Sequence, residues 1–125
     1  MLKTIMLVGT GGFLGSVLRY GISQYALRFF GTGFPAGTLI ANVLGCLLAG
    51  LFFGLYEKEI LSQHWRLLLT TGFCGGFTTF SAFAHESAGF LRSGNMSYFF
   101  IYLFLSLFLG LACMYAGLLL GKSLF

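Results

Sequence analysis

Apolar residues dominate four long segments of this 125-residue chain, and short polar connections separate them. The segments cover about residues 5–25, 35–56, 65–92 and 96–120. Each is long enough for a membrane-spanning helix, which needs roughly 20 mainly apolar residues. Because the connections leave no room for a soluble domain, we expect one domain of four transmembrane helices and a site that lies among them.

The composition agrees with an all-α integral membrane protein. Hydrophobic residues make up 58% of the chain and charged residues only 8%, whereas a soluble domain carries about a quarter charged residues. The cations behind the net charge of +4 are scattered singly, so we do not expect nucleic-acid binding. The chain should instead lie in the lipid bilayer.

The three cysteines of the chain lack the spacing of a disulfide framework or a zinc site.

Small residues recur every three or four positions in three of the spans. This spacing brings them to one helix face, where they allow two backbones to approach closely. Gly11 and Gly15 are such a pair in the first span. The second and fourth spans carry longer series, formed by Asn42, Cys46, Ala49 or Gly50, and Gly54, and by Tyr102, Ser106, Gly110, Cys113, Gly117 and Gly121. We predict close helix contacts along these faces.

The third span contains a stretch that is unlike a plain membrane helix. Residues 70–86 combine glycines with Ser and Thr hydroxyls inside an apolar run, which predicts a helix break near 72–79, in the middle of the membrane. Irregular backbone at that depth persists only where it is buried in protein or lines a wet cavity. The stretch should therefore face a pore, an ion or another protein surface.

Several side chains around this break suit an anion. Phe80 and Phe83 lie one turn apart, with Glu86 close to the same face, and the edge of an aromatic ring is the positive part of its quadrupole. Ordinary ring packing is the alternative. Asn42 either bonds a neighbouring helix or offers its amide N–H to the anion. Arg19 either has a structural role, anchored at the interface or paired with carbonyls or an acid, or it attracts anions.

The exposed carbonyls of the break suit a cation as a ligand, because carbonyl oxygens replace the hydration shell of an alkali cation such as sodium.

We do not expect an enzyme. Ser81 and His85 are four residues apart, but the orienting acid and the oxyanion motif of a serine hydrolase are missing.

The charges in the connections specify the membrane orientation only weakly. Lys3, Lys58, Arg66 and Lys122 fall on one side of four alternating spans, and Arg28 and Arg92 on the other. Both orientations can then insert. We expect a dual-topology antiparallel homodimer whose two breaks lie back to back.

At these residues the chain resembles the Fluc family of fluoride channels, also called CrcB. The matching segments are 11–15 with Arg19 and Tyr20, 37–45, and 72–81 with Phe83. The resemblance implies a passive, fluoride-selective channel in the cell (inner) membrane, with two pores per antiparallel dimer, that sheds fluoride accumulated as its membrane-permeant acid.

The same resemblance implies roles for individual residues. Phe80 and Phe83 would line the pore, Asn42 would donate to fluoride, and Ser81 and Tyr102 would add hydroxyl donors. Glu86 would lie near one end of the polar track and Arg19 in the vestibule. A structural sodium ion at the dimer interface would be held by the backbone carbonyls of two further residues, Gly75 and Thr78.

The chain departs from the family pattern at two positions. The family usually reads Thr-Phe-Ser-Thr-Phe-Ser, whereas this chain has Ala82 and Ala84 in place of the second Thr and the second Ser. Two hydroxyls beside the pore are missing, so we hypothesise reduced conduction. Two other functions remain as alternatives: a proton-coupled exporter like the small multidrug-resistance transporters, although the first span holds no acid, and a non-transporting assembly subunit.

Overall fold

The structure is a computed structural model that describes residues 1–124 and is helical throughout, without a strand in that range. Four helical segments are long and apolar enough to cross a membrane: Leu2–Phe30, Ala36–Glu57, Gln63–Ser93 and Met96–Ser123. The first, second and fourth are the continuous helices α1 (Leu2–Phe30), α2 (Ala36–Glu57) and α6 (Met96–Ser123). Helix α1 extends beyond the predicted span 5–25 at both ends, α2 lies within one residue of its predicted bounds, and α6 continues past residue 120 to Ser123.

The third span is built from four pieces. It begins with α3 (Gln63–Arg66), continues as a π-helix (Leu67–Cys74) and the short α4 (Gly75–Phe77), and ends with α5 (Phe80–Ser93). Only Thr78 and Thr79 leave helical geometry, with backbone angles in the extended region. The predicted break over 72–79 is therefore too wide, because residues 72–77 remain helical.

Two glycines of the third span, Gly72 and Gly76, pack against α1. A Cβ at Gly72 would lie 2.8 Å from the carbonyl oxygen of Val8, and one at Gly76 would collide with the backbone of Gly12. From the other side, Gly11 and Gly15 meet the backbone between Leu68 and Phe77. The predicted close contact through Gly11 and Gly15 is confirmed, and it explains why helical geometry persists across Gly72 and Gly76.

Helices α2 and α6 form a second close pair. A Cβ at Gly50 would collide with the carbonyl oxygen of Met114, and one at Gly117 with that of Leu47. The predicted seam is confirmed for these glycines. At the end of the pair Lys122 Nζ lies 3.0 Å from Glu57 Oε2, a half-exposed ion pair that contributes little stability, at most about 1 kcal/mol.

Very little of the chain is buried within a single copy. Tyr102 is the one large side chain in residues 1–124 that is fully buried, while many Phe, Leu and Tyr side chains of α1 and α6 are more than half exposed. Exposed apolar surface on this scale requires lipid or another protein chain to cover it. The described helices therefore suit a multi-pass membrane protein.

Candidate functional site

The interruption at Thr78 and Thr79 redirects two backbone hydrogen bonds. In a continued helix the N–H of Thr79 would donate to the carbonyl of Gly75, and that of Ala82 to the carbonyl of Thr78. Here Thr79 N–H donates to Asn42 Oδ1 at 2.7 Å, and Ala82 N–H donates to Thr79 Oγ1 at 3.2 Å. The carbonyl oxygens of Gly75 and Thr78 thus lose their usual helical donors.

Asn42 closes the break from α2. Besides accepting from Thr79 N–H, its Nδ2 donates to the Thr79 carbonyl at 3.0 Å. One side-chain amide therefore satisfies both backbone groups of a residue that the helix cannot satisfy. Because an amide nitrogen carries two hydrogens, one N–H of Nδ2 is left over from this pair of bonds.

Arg19 contacts the segment that precedes the break. Its Nε donates to the carbonyl of Gly76 at 3.1 Å, so the guanidinium connects α1 to the last turn before Thr78. This contact is the structural pairing that the sequence offered as one of two roles for Arg19.

The rings of Phe80, Phe83 and Tyr102 form a series along α5 and α6. The Phe80 and Phe83 centroids are 5.8 Å apart, and those of Phe83 and Tyr102 are 5.1 Å apart. Phe80 is 79% exposed on this single copy. In a chain that crosses a membrane, a ring this exposed faces either lipid or another protein chain.

Glu86 lies beyond these rings and joins α2 to α6. Tyr102 Oη donates to Glu86 Oε1 at 3.3 Å, and Thr38 Oγ1 donates to Glu86 Oε2 at 3.1 Å. The sequence reasoning missed Thr38. Its spacing of four residues before Asn42, on the face that carries the small-residue series, was a signal that could have identified it.

The remaining predicted residues lie on the exposed side of α5. Ser81 Oγ lies 3.3 Å from Thr79 Oγ1. The side chain of Ala82 is half-buried and that of Ala84 is exposed. The structure therefore brings Ser81 next to the break. The methyl side chains of the two alanines offer no polar group there, and Ala82 contributes only its backbone N–H, which donates to Thr79 Oγ1.

An open cavity of about 420 Å³ brings part of the predicted site together. It is lined by Asn42, Gly75, Thr78, Phe80 and Phe83, whereas Arg19, Ser81, Glu86 and Tyr102 are not part of its wall. Three further polar residues that sequence reasoning did not assign to a site also line it, namely Thr70, Thr79 and Ser106.

Ser106 is the most informative of these additions. Its Oγ is buried and lacks a hydrogen-bond partner among the described residues. A buried hydroxyl without a partner is costly, so this oxygen is suited to a small ligand or a water in the cavity. Its position in the predicted series of α6 was the signal that could have identified it.

Side-chain ligands for a metal are not grouped in residues 1–124, where no three His, Cys, Asp or Glu side chains come together. A cation at the break would be held by oxygen atoms, from backbone carbonyls or from hydroxyls such as those of Thr79 and Ser81. The carbonyls of Gly75 and Thr78 are suitable, because their helical donors are redirected and Gly75 is exposed.

Comparison with known proteins adds a decisive observation to this geometry. Residues 6–118 match the family described as "CrcB-like protein, Camphor Resistance (CrcB)". This chain belongs to the CrcB family. The match contains every residue of the site described above, from Arg19 to Ser106.

Relatives within the CrcB family align over nearly the whole chain. A protein of Flavobacterium psychrophilum named "Fluoride-specific ion channel FluC" is 45% identical over 124 residues, covering 98% of this chain and all of the relative. One of the same name from Chlorobaculum tepidum is 49% identical over 123 residues, covering 98% of this chain and 97% of the relative.

Proposed function

We propose that this CrcB-family protein is a passive, fluoride-selective ion channel that lets fluoride leave the cell across the inner membrane. The observation that carries the proposal is a sequence identity of 45% and 49%, over 98% of this chain, to two relatives named as fluoride-specific channels. The proposal needs no enzymatic step. Neither the small multidrug-resistance alternative nor the assembly-subunit alternative gains support from the relatives reported above.

The polar and aromatic groups around the break support a path for a small dehydrated anion. Phe80 and Phe83 offer ring edges beside the open cavity, and Asn42 keeps one amide N–H after binding Thr79. In this proposal the Ser81 and Tyr102 hydroxyls add donors along the route towards Glu86. Arg19 supplies positive charge to the vestibule on the near side of the break.

A second copy of the chain is part of the proposal. The cavity beside Phe80 is open on one side, and Gly75 is exposed at its edge. An antiparallel partner with its own break would cover this face and place two breaks back to back in the middle of the membrane, which gives two pores. The weak charge bias of the connections supports insertion in both orientations.

A structural sodium ion fits the same arrangement. The carbonyl oxygens of Gly75 and Thr78 lack their helical donors, and hard oxygen ligands of this kind suit an alkali cation. With a partner supplying the same two carbonyls, four backbone oxygens would surround one ion at the interface. The ion would neutralise carbonyl dipoles that face no N–H.

The experiment is fluoride efflux from liposomes that contain the purified chain, followed with a fluoride electrode, with chloride efflux as the selectivity control. We expect fluoride efflux without chloride efflux. Phe80→Ile should stop it, because the ring edges are lost. Phe108→Ile is the matched control, since Phe108 is 65% exposed on α6 and outside the cavity wall. Absence of fluoride efflux from a folded dimer would refute the proposed function.

A further inference from the structure

Phe34 lies in the connection between α1 and α2, far along the chain from the break. Its half-buried ring contacts rings from two other helices. The centroids lie 6.5 Å from Phe90, stacked, and 5.9 Å from Tyr98 and 5.5 Å from Tyr102, both edge-on. Phe34 is therefore held in a fixed position against α5 and α6.

Two cavities meet at this ring. One, of about 160 Å³, lies between α1 and the start of α2. The other, of about 400 Å³, opens between the connection and α5. Both reach Glu86, and both have Phe34 and Pro35 in their walls. Glu86 is seven residues before the end of α5, or roughly 10 Å by helix rise, and the larger cavity extends from Glu86 to Ser93 at that end.

The ring of Phe34 extends the aromatic series of the site. Centroid distances of 5.8 Å, 5.1 Å and 5.5 Å connect Phe80 to Phe83, Phe83 to Tyr102 and Tyr102 to Phe34. The series therefore runs without a gap from the break to the connection. Tyr102, whose hydroxyl binds Glu86, contacts both Phe83 and Phe34.

No Lys or Arg side chain stands among the described residues that line the two cavities. The polar side chains of their walls are those of Ser23, Thr32, Thr38, His85 and Ser93, besides Glu86 itself. The Thr38 and Tyr102 hydroxyls already donate to the carboxylate. A ring edge can lie against a dehydrated anion. We propose that Phe34 is a further pore-lining residue, which contacts fluoride at the mouth of the path beyond Glu86. This inference rests on the proposed function.

The first test compares Phe34→Leu with Phe29→Leu in the liposome efflux assay. Leu keeps most of the apolar volume but has no ring edge. Phe29 is the matched control, because it precedes the same connection and is 71% exposed. We expect Phe34→Leu to slow fluoride efflux roughly tenfold and Phe29→Leu to leave it within about twofold of the unsubstituted chain. Equal efflux from a folded Phe34→Leu dimer would overturn the inference.

A second test does not depend on the loss of a ring. Phe34→Cys and Phe29→Cys are treated in detergent with the anionic thiol reagent 2-sulfonatoethyl methanethiosulfonate and then reconstituted. A sulfonate at position 34 should block fluoride efflux by charge and bulk, and one at position 29 should not. The treated unsubstituted chain gives the background from Cys46, Cys74 and Cys113, which are free thiols.

The outcomes separate this inference from the proposed function. If the unsubstituted chain does not conduct, the proposed function fails, and the inference about Phe34 fails with it. If the unsubstituted chain conducts and fully modified Phe34→Cys conducts equally well, only the role of Phe34 is refuted.

Discussion

The side-chain amide of Asn42 forms two hydrogen bonds with the backbone of Thr79, accepting from its N–H at 2.7 Å and donating to its carbonyl at 3.0 Å. The two residues are 37 positions apart and belong to different spans. This contact lets the third span leave helical geometry without orphaned backbone groups at Thr79, and it connects the break to α2.

Replacing Asn42 by Ala should destabilise the fold more than an ordinary polar substitution. Two backbone groups lose their partners, and each unsatisfied buried group costs about 1–3 kcal/mol. We expect Asn42→Ala to lower the midpoint of thermal unfolding and to reduce fluoride efflux. Asn95→Ala is the matched control, because Asn95 caps α6 at an exposed end where water replaces the bond to Tyr98 N–H. Equal loss of stability in both variants would contradict this role.

Removal of the Tyr102 hydroxyl should slow fluoride efflux, and removal of the Tyr98 hydroxyl should not. Tyr102→Phe keeps the ring contacts but removes the donor to Glu86 Oε1. We expect fluoride efflux to fall by about threefold to tenfold, since such a bond contributes about 1 kcal/mol. Tyr98 belongs to the same ring cluster, and its side chain is 41% exposed, so Tyr98→Phe should conduct normally. The idea fails if both variants conduct equally.

Two glycines of α6 should respond differently to the same substitution. A Cβ at Gly117 would collide with the backbone of α2, whereas one at Gly110 would make an ordinary contact of 3.7 Å with Cys46 Sγ. We expect Gly117→Ala to cost about 1–3 kcal/mol through overpacking and Gly110→Ala to be tolerated. Thermal unfolding in detergent measures the difference, and tolerance at both positions would contradict the close α2–α6 contact.

Restoring the missing hydroxyls should increase conduction. The double substitution Ala82→Thr with Ala84→Ser returns two donors beside the proposed path, where a dehydrated fluoride lacks partners. We expect faster fluoride efflux from the double variant than from the unsubstituted chain, with chloride still excluded. Equal or slower efflux would show that these positions do not limit conduction.

Removal of sodium should weaken the proposed dimer. Exchange of Na⁺ for N-methylglucamine at constant ionic strength would leave the carbonyls of Gly75 and Thr78 facing each other across the interface without a cation. We expect the dimer fraction, measured by chemical cross-linking, to fall and to recover when Na⁺ is returned. A dimer fraction that does not change when Na⁺ is exchanged would argue against a structural sodium ion at the interface.

The sequence predicts the helices and their contacts well, because both depend on local patterns. Twenty apolar residues specify a span, and glycines such as Gly11 and Gly117 identify the faces that pack closely. The bonding at the break depends on tertiary structure instead. No spacing rule directs the N–H of Thr79 to a side chain in another span, and glycines that suggested a wide break proved to be contact points for α1.

The same distinction applies to the candidate site. Phe80, Phe83 and Asn42 could be named from their positions around the break, and the structure brings them to one cavity. Thr38 and Phe34 were missed, because each gains its place by contact with Glu86 or Tyr102 from another element. Phe34 lies in a connection and carries no periodic signal, whereas the only signal of Thr38 was its spacing of four residues before Asn42.

The two carbonyl oxygens released at the break, those of Gly75 and Thr78, belong to the main chain. Every amino acid carries the same carbonyl, so no point mutation at Gly75 or Thr78 can delete these oxygens. The two carbonyl oxygens lose their free state only indirectly, when a change elsewhere lets the N–H groups of Thr79 and Ala82 donate to them as in a regular helix. The substitutions that can change the state of these carbonyls are therefore those that remove the two acceptors, Asn42 Oδ1 and Thr79 Oγ1.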